Sequence, residues 1–230
     1  MSLPPFRKII LGSGSPRRKQ LLEGLGWPIT VHTKELDEIF PEHLTEANIP
    51  LHLAELKAMA FDQELKQDEL LITADTIVWL NGKVLGKPID ENDAKRMLSV
   101  LQNNTHQVFT GVCLTFDGRR HCFSVRTDVT FEPLSAETIE SYVTHYRPMD
   151  KAGSYGAQEC LPPEADPLSK EEKIFLERIG KKELFRSSLA SDPERLVPMI
   201  KRIDGSYFNV MGLPVAELWE ELIHFSNSYR

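Results

Sequence analysis

The apolar run Ile9, Ile10, Leu11 leads directly into Ser13-Gly14-Ser15-Pro16-Arg17-Arg18 and then into the helically spaced Leu21, Leu22 and Leu25. A strand, a tight turn and a helix start are therefore written into one short stretch. Ser15 suits an N-cap, and Pro16 suits the first helical position, where its missing N–H would have been unpaired anyway. The turn aims backbone N–H groups at one point. Two guanidinium groups follow in the first helical turn, where the positive end of the helix dipole disfavours cations, and a bound anion would remove that conflict. The same residues also read as a plain capped helix with solvated arginines.

Other residues are locally awkward in the same way. Leu70, Leu71, Ile72 and then Ile77, Val78, Trp79, Leu80 read as a buried strand, yet Ala74-Asp75-Thr76 sits in its middle. A carboxylate there is costly to desolvate without a partner or a metal; otherwise the strand ends early and Asp75 occupies a turn. Residues 51–65 place Leu53, Ala54, Ala58, Phe61 and Leu65 on one helical face, with Lys57 on the same stripe. Its ammonium either points into the protein or snorkels past the core on a packed stem. Asn81-Gly82 signals a hairpin that returns a short strand ending in Gly86-Lys87-Pro88, so a further cation lies close in sequence to Asp75.

Strand patterns near 7–12, 70–79, 83–86, 106–116, 121–131 and 206–211 alternate with helical patterns near 16–25, 50–66, 91–102, 136–146 and 214–225, which predicts an α/β fold with a mixed sheet. Asp117-Gly118 marks a second hairpin, making part of the sheet antiparallel. A chain of 230 residues with 41% hydrophobic content can bury one large core, arranged as two lobes around a cleft. The net charge of −7 argues against general nucleic-acid binding, which needs a basic face. Cys113, Cys122 and Cys160 are odd in number and lack metal-ligand spacing, which predicts reduced thiols in a cytoplasmic protein. The histidines show no paired spacing. Met1 to Arg7 is followed by no apolar stretch long enough for a signal peptide or membrane span, so no membrane partner is expected.

Eight segments together carry a resemblance: Ser13-Gly14-Ser15-Pro16-Arg17-Arg18, Leu36-Asp37-Glu38, Leu56-Lys57-Ala58, Ala74-Asp75-Thr76, Gly86-Lys87-Pro88, Thr110-Gly111-Val112, the stretch from Asp150 to Gln158, and the stretch from Asp204 to Pro214. In this order and spacing the chain resembles the Maf family of nucleotide pyrophosphatases along nearly its whole length. The resemblance implies an inosine triphosphatase-like, Maf-type fold: a mixed, elongated sheet flanked by helices, with two lobes around a nucleotide-binding cleft. It implies hydrolysis of a nucleoside triphosphate between the α and β phosphates, with a divalent metal, Mg or Mn. Asp75 is then the proton acceptor for the attacking water, and Glu38 the acidic residue at the metal and water site, both carboxylates holding the metal.

That chemistry asks for charge on the phosphoryl oxygens and an oriented water far more than for a covalent intermediate. Lys57 and Lys87 would serve the reaction, while Ser13, Ser15, Arg17, Arg18, Thr76, Lys151 and Gln158 would bind substrate. Two carboxylates suffice for a hard cation that keeps waters and phosphates as further ligands. Within the family, two arginines after Ser-Pro and the Asp-Lys-Ala-Gly-x-Tyr-Gly-x-Gln segment resemble the dTTP and UTP branch, whereas the 7-methyl-GTP branch has Ser-Pro-Tyr-Arg. Arg17, Thr76 and Gln158 carry over as specificity positions. Gln158 offers a donor and an acceptor, as the O4 and N3–H edge of uracil or thymine requires. A homodimer stays open.

One departure stands out. Family members pass quickly from that glutamine to the Gly-Ser segment, whereas here residues 159–195 intervene, polar and rich in proline at Pro162, Pro163 and Pro167. The expectation is a single domain over 1–230 with an insertion at about 159–195. Ser169 and Glu172 make a capping box, so residues 170–182 are expected to be helical. The insertion reads either as an inconsequential surface loop or as a lid or partner surface beside the base pocket. The alternative function is a nucleotide-binding regulator of cell division or septum formation with little turnover; Asp75 and Glu38 argue against it, since a sensor needs neither a base nor a water-orienting acid.

Overall fold

The computed structural model describes residue 6, residues 8–188 and residues 196–227. Strand β1 (Lys8–Leu11) turns into helix α1 (Pro16–Gly24), with Ser15 as N-cap: its Oγ accepts the Arg18 backbone N–H at 3.4 Å. A short β2 (Ile29–Val31) lies parallel to β1. Helix α2 (Asn48–Met59) crosses to the long β3 (Glu69–Leu80) and its hairpin partner β4 (Lys83–Leu85). Helix α3 (Glu91–Leu101) precedes β5 (Thr105–Phe116) and β6 (Arg119–Phe131). Both hairpins turn on two residues of positive φ, Asn81-Gly82 and Asp117-Gly118, as tight two-residue turns require.

The sheet runs β2-β1-β3-β5-β6-β7, where β7 is Ile200–Asp204. β3 is parallel to β1 over its first residues and antiparallel to β5 along most of its length, so the sheet is mixed. Its side chains alternate between faces. Leu70, Ile72, Ala74 and Val78 join a large cluster with Leu21 and Leu22 of α1 and Leu98 of α3. Leu71 and Ile77 face the other way, in clusters with Ala54, Ala58 and Leu53 of α2. The same alternation puts Asp75 beneath α2 and Thr76 on the opposite face.

After β6 the chain forms α4 (Ala136–Tyr146), a 3-10 turn over Ala152–Ser154, and α5 (Ala157–Cys160). Then follow α6 (Lys170–Arg178), α7 (Glu183–Ser188), β7, α8 (Tyr207–Val210) and α9 (Val215–Asn227). The strand expected over 206–211 is thus the short helix α8, and the last strand lies earlier, at β7. Tyr207, Phe208 and Val210 favour a strand by propensity, but Ser206 Oγ accepts the Asn209 N–H at 3.0 Å, and a cap of this kind starts a helix. α2 stops at Met59, short of the expected 66, and α6 stops at Arg178.

Residues 159–188 are not a loose surface loop. Phe175, Leu176 and Leu184 are buried in the main cluster, and the Phe175 ring packs edge-on to Trp219 of α9 at 5.8 Å between centroids. Residues 189–195 of the expected insertion, and residues 1–5 and 7 at the start, lie outside the described residues. Among the described residues no helix is long and apolar enough to cross a membrane.

Candidate active site

A cleft of about 470 Å³ opens across β3 where α1, α2 and the Asp150–Gln158 stretch meet. Ser13, Ser15, Arg17, Arg18, Glu38, Lys57, Asp75, Thr76, Lys87, Lys151 and Gln158 all line it, although they come from six separate parts of the chain. β3 runs unbroken through Asp75, which is 7% exposed and in register with Gly111 of β5. From the core-facing stripe of α2, Lys57 Nζ reaches Asp75 Oδ1 at 2.6 Å and Glu38 Oε1 at 3.2 Å. A Cβ on Gly111 would sit 2.4 Å from the Pro50 carbonyl, so α2 rests on bare β5 backbone at this point. The absent side chain brings Lys57 down to Asp75.

The two carboxyl groups are driven apart in acidity. Burial pushes Asp75 above the usual carboxylate range, against the pull of Lys57 and Arg18. Burial also pushes Glu38 upward, but the attraction of Lys57, its hydrogen bond and the charge of Lys87 outweigh it, and Glu38 ends below the usual range. Such a split makes Asp75 the stronger proton acceptor and keeps Glu38 ionised. Among the described residues no cluster of three or more His, Cys, Asp or Glu could hold a metal. The Glu38 and Asp75 pair nevertheless fits a hard divalent cation, which commonly takes one or two carboxylates and completes its shell with waters and phosphate oxygens.

The arginines resolve their conflict with the α1 dipole differently from the sequence expectation, which called for a ligand anion. Arg17 Nη1 donates to Asp150 Oδ2 at 2.9 Å, so a protein carboxylate meets it. Lys151 Nζ binds the other oxygen of Asp150 at 3.1 Å. Arg18 is buried, and neutral groups hold its fork: Nε donates to the Gly212 carbonyl at 2.8 Å, Nη1 to Ser13 Oγ at 3.0 Å and Nη2 to Thr76 Oγ1 at 3.0 Å. Thr76 Oγ1 also lies 2.9 Å from Thr110 Oγ1. Ser13, Ser15 and Thr76 therefore spend their hydroxyls on shaping the turn and fixing Arg18. Lys87 stands exposed at the mouth.

At the other end, Gln158 carries a buried side-chain oxygen, Oε1, with no hydrogen-bond partner among the described residues. Beside it Tyr155 is fixed by a 2.7 Å hydrogen bond between its hydroxyl and His106 Nε2. Phe40, Leu53 and Ile77 give the cleft an apolar side. Sequence reasoning gave no separate role to Asp150, Tyr155 or Gly212, all of which line this cleft. Asp150 and Gly212 lie far along the chain from the arginines they meet, and local patterning carries no sign of such pairings.

A family model described as Maf-like protein matches residues 8–162. A relative from Phocaeicola vulgatus, named dTTP/UTP pyrophosphatase, is 47% identical over 216 residues, 94% of each chain. Relatives of the same name from Bacteroides fragilis and Flavobacterium psychrophilum are 44% and 41% identical, with 94% of this chain covered in both cases and 94% of each relative. Among solved structures, the Staphylococcus aureus Ham1 protein aligns with 54% of this chain and 72% of its own at 15% identity and a TM-score of 0.36. On the family match and these near full-length identities, the chain belongs to the Maf-like protein family.

Proposed function

We propose that this chain hydrolyses dTTP and UTP to the nucleoside monophosphate and pyrophosphate. The observation that carries the reading is the buried Asp75, lifted in basicity, ion-paired to Lys57 at 2.6 Å and facing a cleft lined with further cations. The similarity to relatives named dTTP/UTP pyrophosphatase supports the choice of substrate.

In this reading a water oxygen forms a bond to the α phosphorus while the bond from that phosphorus to the α–β bridging oxygen breaks. Pyrophosphate leaves with the electron pair, and the water proton passes to the Asp75 carboxylate. Arg18, Lys57 and Lys87 set positive charge against the phosphoryl oxygens, where such transfers need most of their stabilisation. Glu38, kept ionised, orients the water. Glu38 and Asp75 would hold a magnesium or manganese ion, which when bound neutralises phosphoryl oxygens and acidifies water. Gln158, with a buried and unpaired amide oxygen, meets the polar edge of the pyrimidine, with Arg17 and Thr76 shaping the same end. Three free cysteines accord with work in a reducing cytoplasm.

Phosphorus NMR of a UTP digest tests the reaction, with Asp75→Asn alongside. The expected products are UMP and pyrophosphate. Loss of the base should slow the variant about 10²- to 10⁴-fold while UTP still binds. UDP and orthophosphate as first products, or an Asp75→Asn enzyme within a few-fold of the parent, would overturn the reading.

A further inference from the structure

We propose that Glu172, in the stretch between Gln158 and Gly205, is a positioning residue for the cleft: through α8 it holds the Gly212 carbonyl against the Arg18 guanidinium. The inference rests on the cleft being the site of the proposed reaction. Glu172 is 1% exposed, and its carboxylate is filled by donors from two separate elements. Oε1 accepts from Ser206 Oγ at 2.8 Å and the Phe208 N–H at 3.1 Å. Oε2 accepts from the Ser169 N–H at 2.9 Å and the Tyr207 N–H at 3.2 Å. The capping box that starts α6 therefore also starts α8.

The consequence runs along the chain to the cleft. α8 has four residues, too short to persist without tertiary support. Its far end is pinned to the sheet: Asn209 Nδ2 donates to the Val108 carbonyl at 3.1 Å, and the Asn209 carbonyl accepts from Thr110 Oγ1 at 3.2 Å. The next residues, Met211 and Gly212, form the cleft wall, and the Gly212 carbonyl takes Arg18 Nε at 2.8 Å. Held at both ends, α8 presents that carbonyl at a fixed place. With the Glu172 end released, the backbone that orients the Arg18 fork is anchored on one side.

Glu172→Gln is a demanding substitution because of how the four donors are shared. If the new amide nitrogen stands at the Oε2 position, it meets two backbone N–H groups and no acceptor. At the Oε1 position the Ser206 hydroxyl can turn round and accept, but the Phe208 N–H still faces a donor. Either way at least one buried N–H of α8 loses its partner, and groups so stranded force local rearrangement.

The test compares the full-length enzyme with Glu172→Gln, using Glu171→Gln, an exposed neighbour with the same charge change, as control. Two quantities are read: kcat/KM for UTP, and solvent exchange of the Arg18 Nε–H by 15N NMR. Glu172→Gln should lower kcat/KM about 10-fold and speed that exchange at least about 10-fold, as a misplaced positioning group does, while Glu171→Gln changes neither. A folded Glu172→Gln with both quantities unchanged overturns the proposal. Faster exchange with unchanged kcat/KM also overturns it, since the brace would then stop short of the reaction. Should Glu172→Gln fail to fold, Glu172→Asp is read the same way, and loss of the fold in both variants overturns it too. If the parent enzyme does not turn over UTP, the functional reading fails by itself, and Arg18 exchange still judges the brace.

Discussion

Replacing Gly111 by alanine perturbs the candidate site without touching any group in it. The new Cβ would lie 2.4 Å from the Pro50 carbonyl carbon and oxygen and 2.5 Å from the Leu51 nitrogen, all of them backbone atoms that no rotamer change can move. To restore ordinary contact α2 must retreat from β5 by about 1 Å, and α2 carries Lys57. A shift of that size takes Lys57 Nζ from its 2.6 Å contact with Asp75 Oδ1 out of hydrogen-bond range. Overpacking of this kind costs about 1–3 kcal/mol, and for a chain of this length each kcal/mol lowers Tm by about 2–4 °C. A 1 Å misplacement of a reacting group costs about 10²-fold in rate. Gly111→Ala should therefore lose several degrees in a calorimetric scan and about two orders of magnitude in UTP kcat/KM, followed by pyrophosphate release. Unchanged Tm would refute the close seat of α2 on β5; lowered Tm with the parent's kcat/KM would refute the need for Lys57 at Asp75.

Two further outcomes follow from groups described above. His106 is fully buried, and burial lowers its pKa to about 3, with Asp128 partly opposing. Between that value and the unfolded value near 6.5 the unfolded chain binds the extra proton, so stability falls as pH drops below about 6.5, by about 2 kcal/mol at pH 5. His106→Gln, which can keep a bond to Tyr155 without titrating, should flatten the Tm profile over that range; an equally steep profile would remove His106 as its source. Gln158→Ala should lower kcat/KM for UTP and dTTP far more than it lowers Tm, since a site that pairs with a substrate edge can discriminate by up to about 10⁴-fold. A variant that keeps the parent's ranking of UTP, dTTP, CTP and GTP would place base recognition elsewhere.

Asp75 and Lys57 were legible because each breaks an apolar pattern strong enough to be certain: a carboxylate inside a strand and an ammonium on a core-facing stripe. The turn after β1 was legible from Ser15 and Pro16 alone. What escaped is non-local. Asp150 meets Arg17 across 133 positions, so a conflict that looked like a call for ligand is settled by the protein's own carboxylate. The residues of α8 have the propensities of a strand and become a helix because Glu172, over 30 positions earlier, fills its first turn. β2 has three residues, two of them exposed, and three residues cannot display a period.

The Gly212 carbonyl that closes the Arg18 fork arrives 194 residues after the arginine it holds. A ribosome adding about 5–20 residues per second takes on the order of 10–40 s to travel that far. Through that interval the Ser13–Arg18 turn exists without its clasp, and the growing chain presents no finished catalytic surface to the nucleotide pool around it. A message cut short before codon 206 would yield a protein with Asp75, Lys57 and Glu38 all present and no fixed guanidinium among them. Completion of synthesis thus acts as the switch that turns the enzyme on, and full-length product is the least the cell must make to gain any activity.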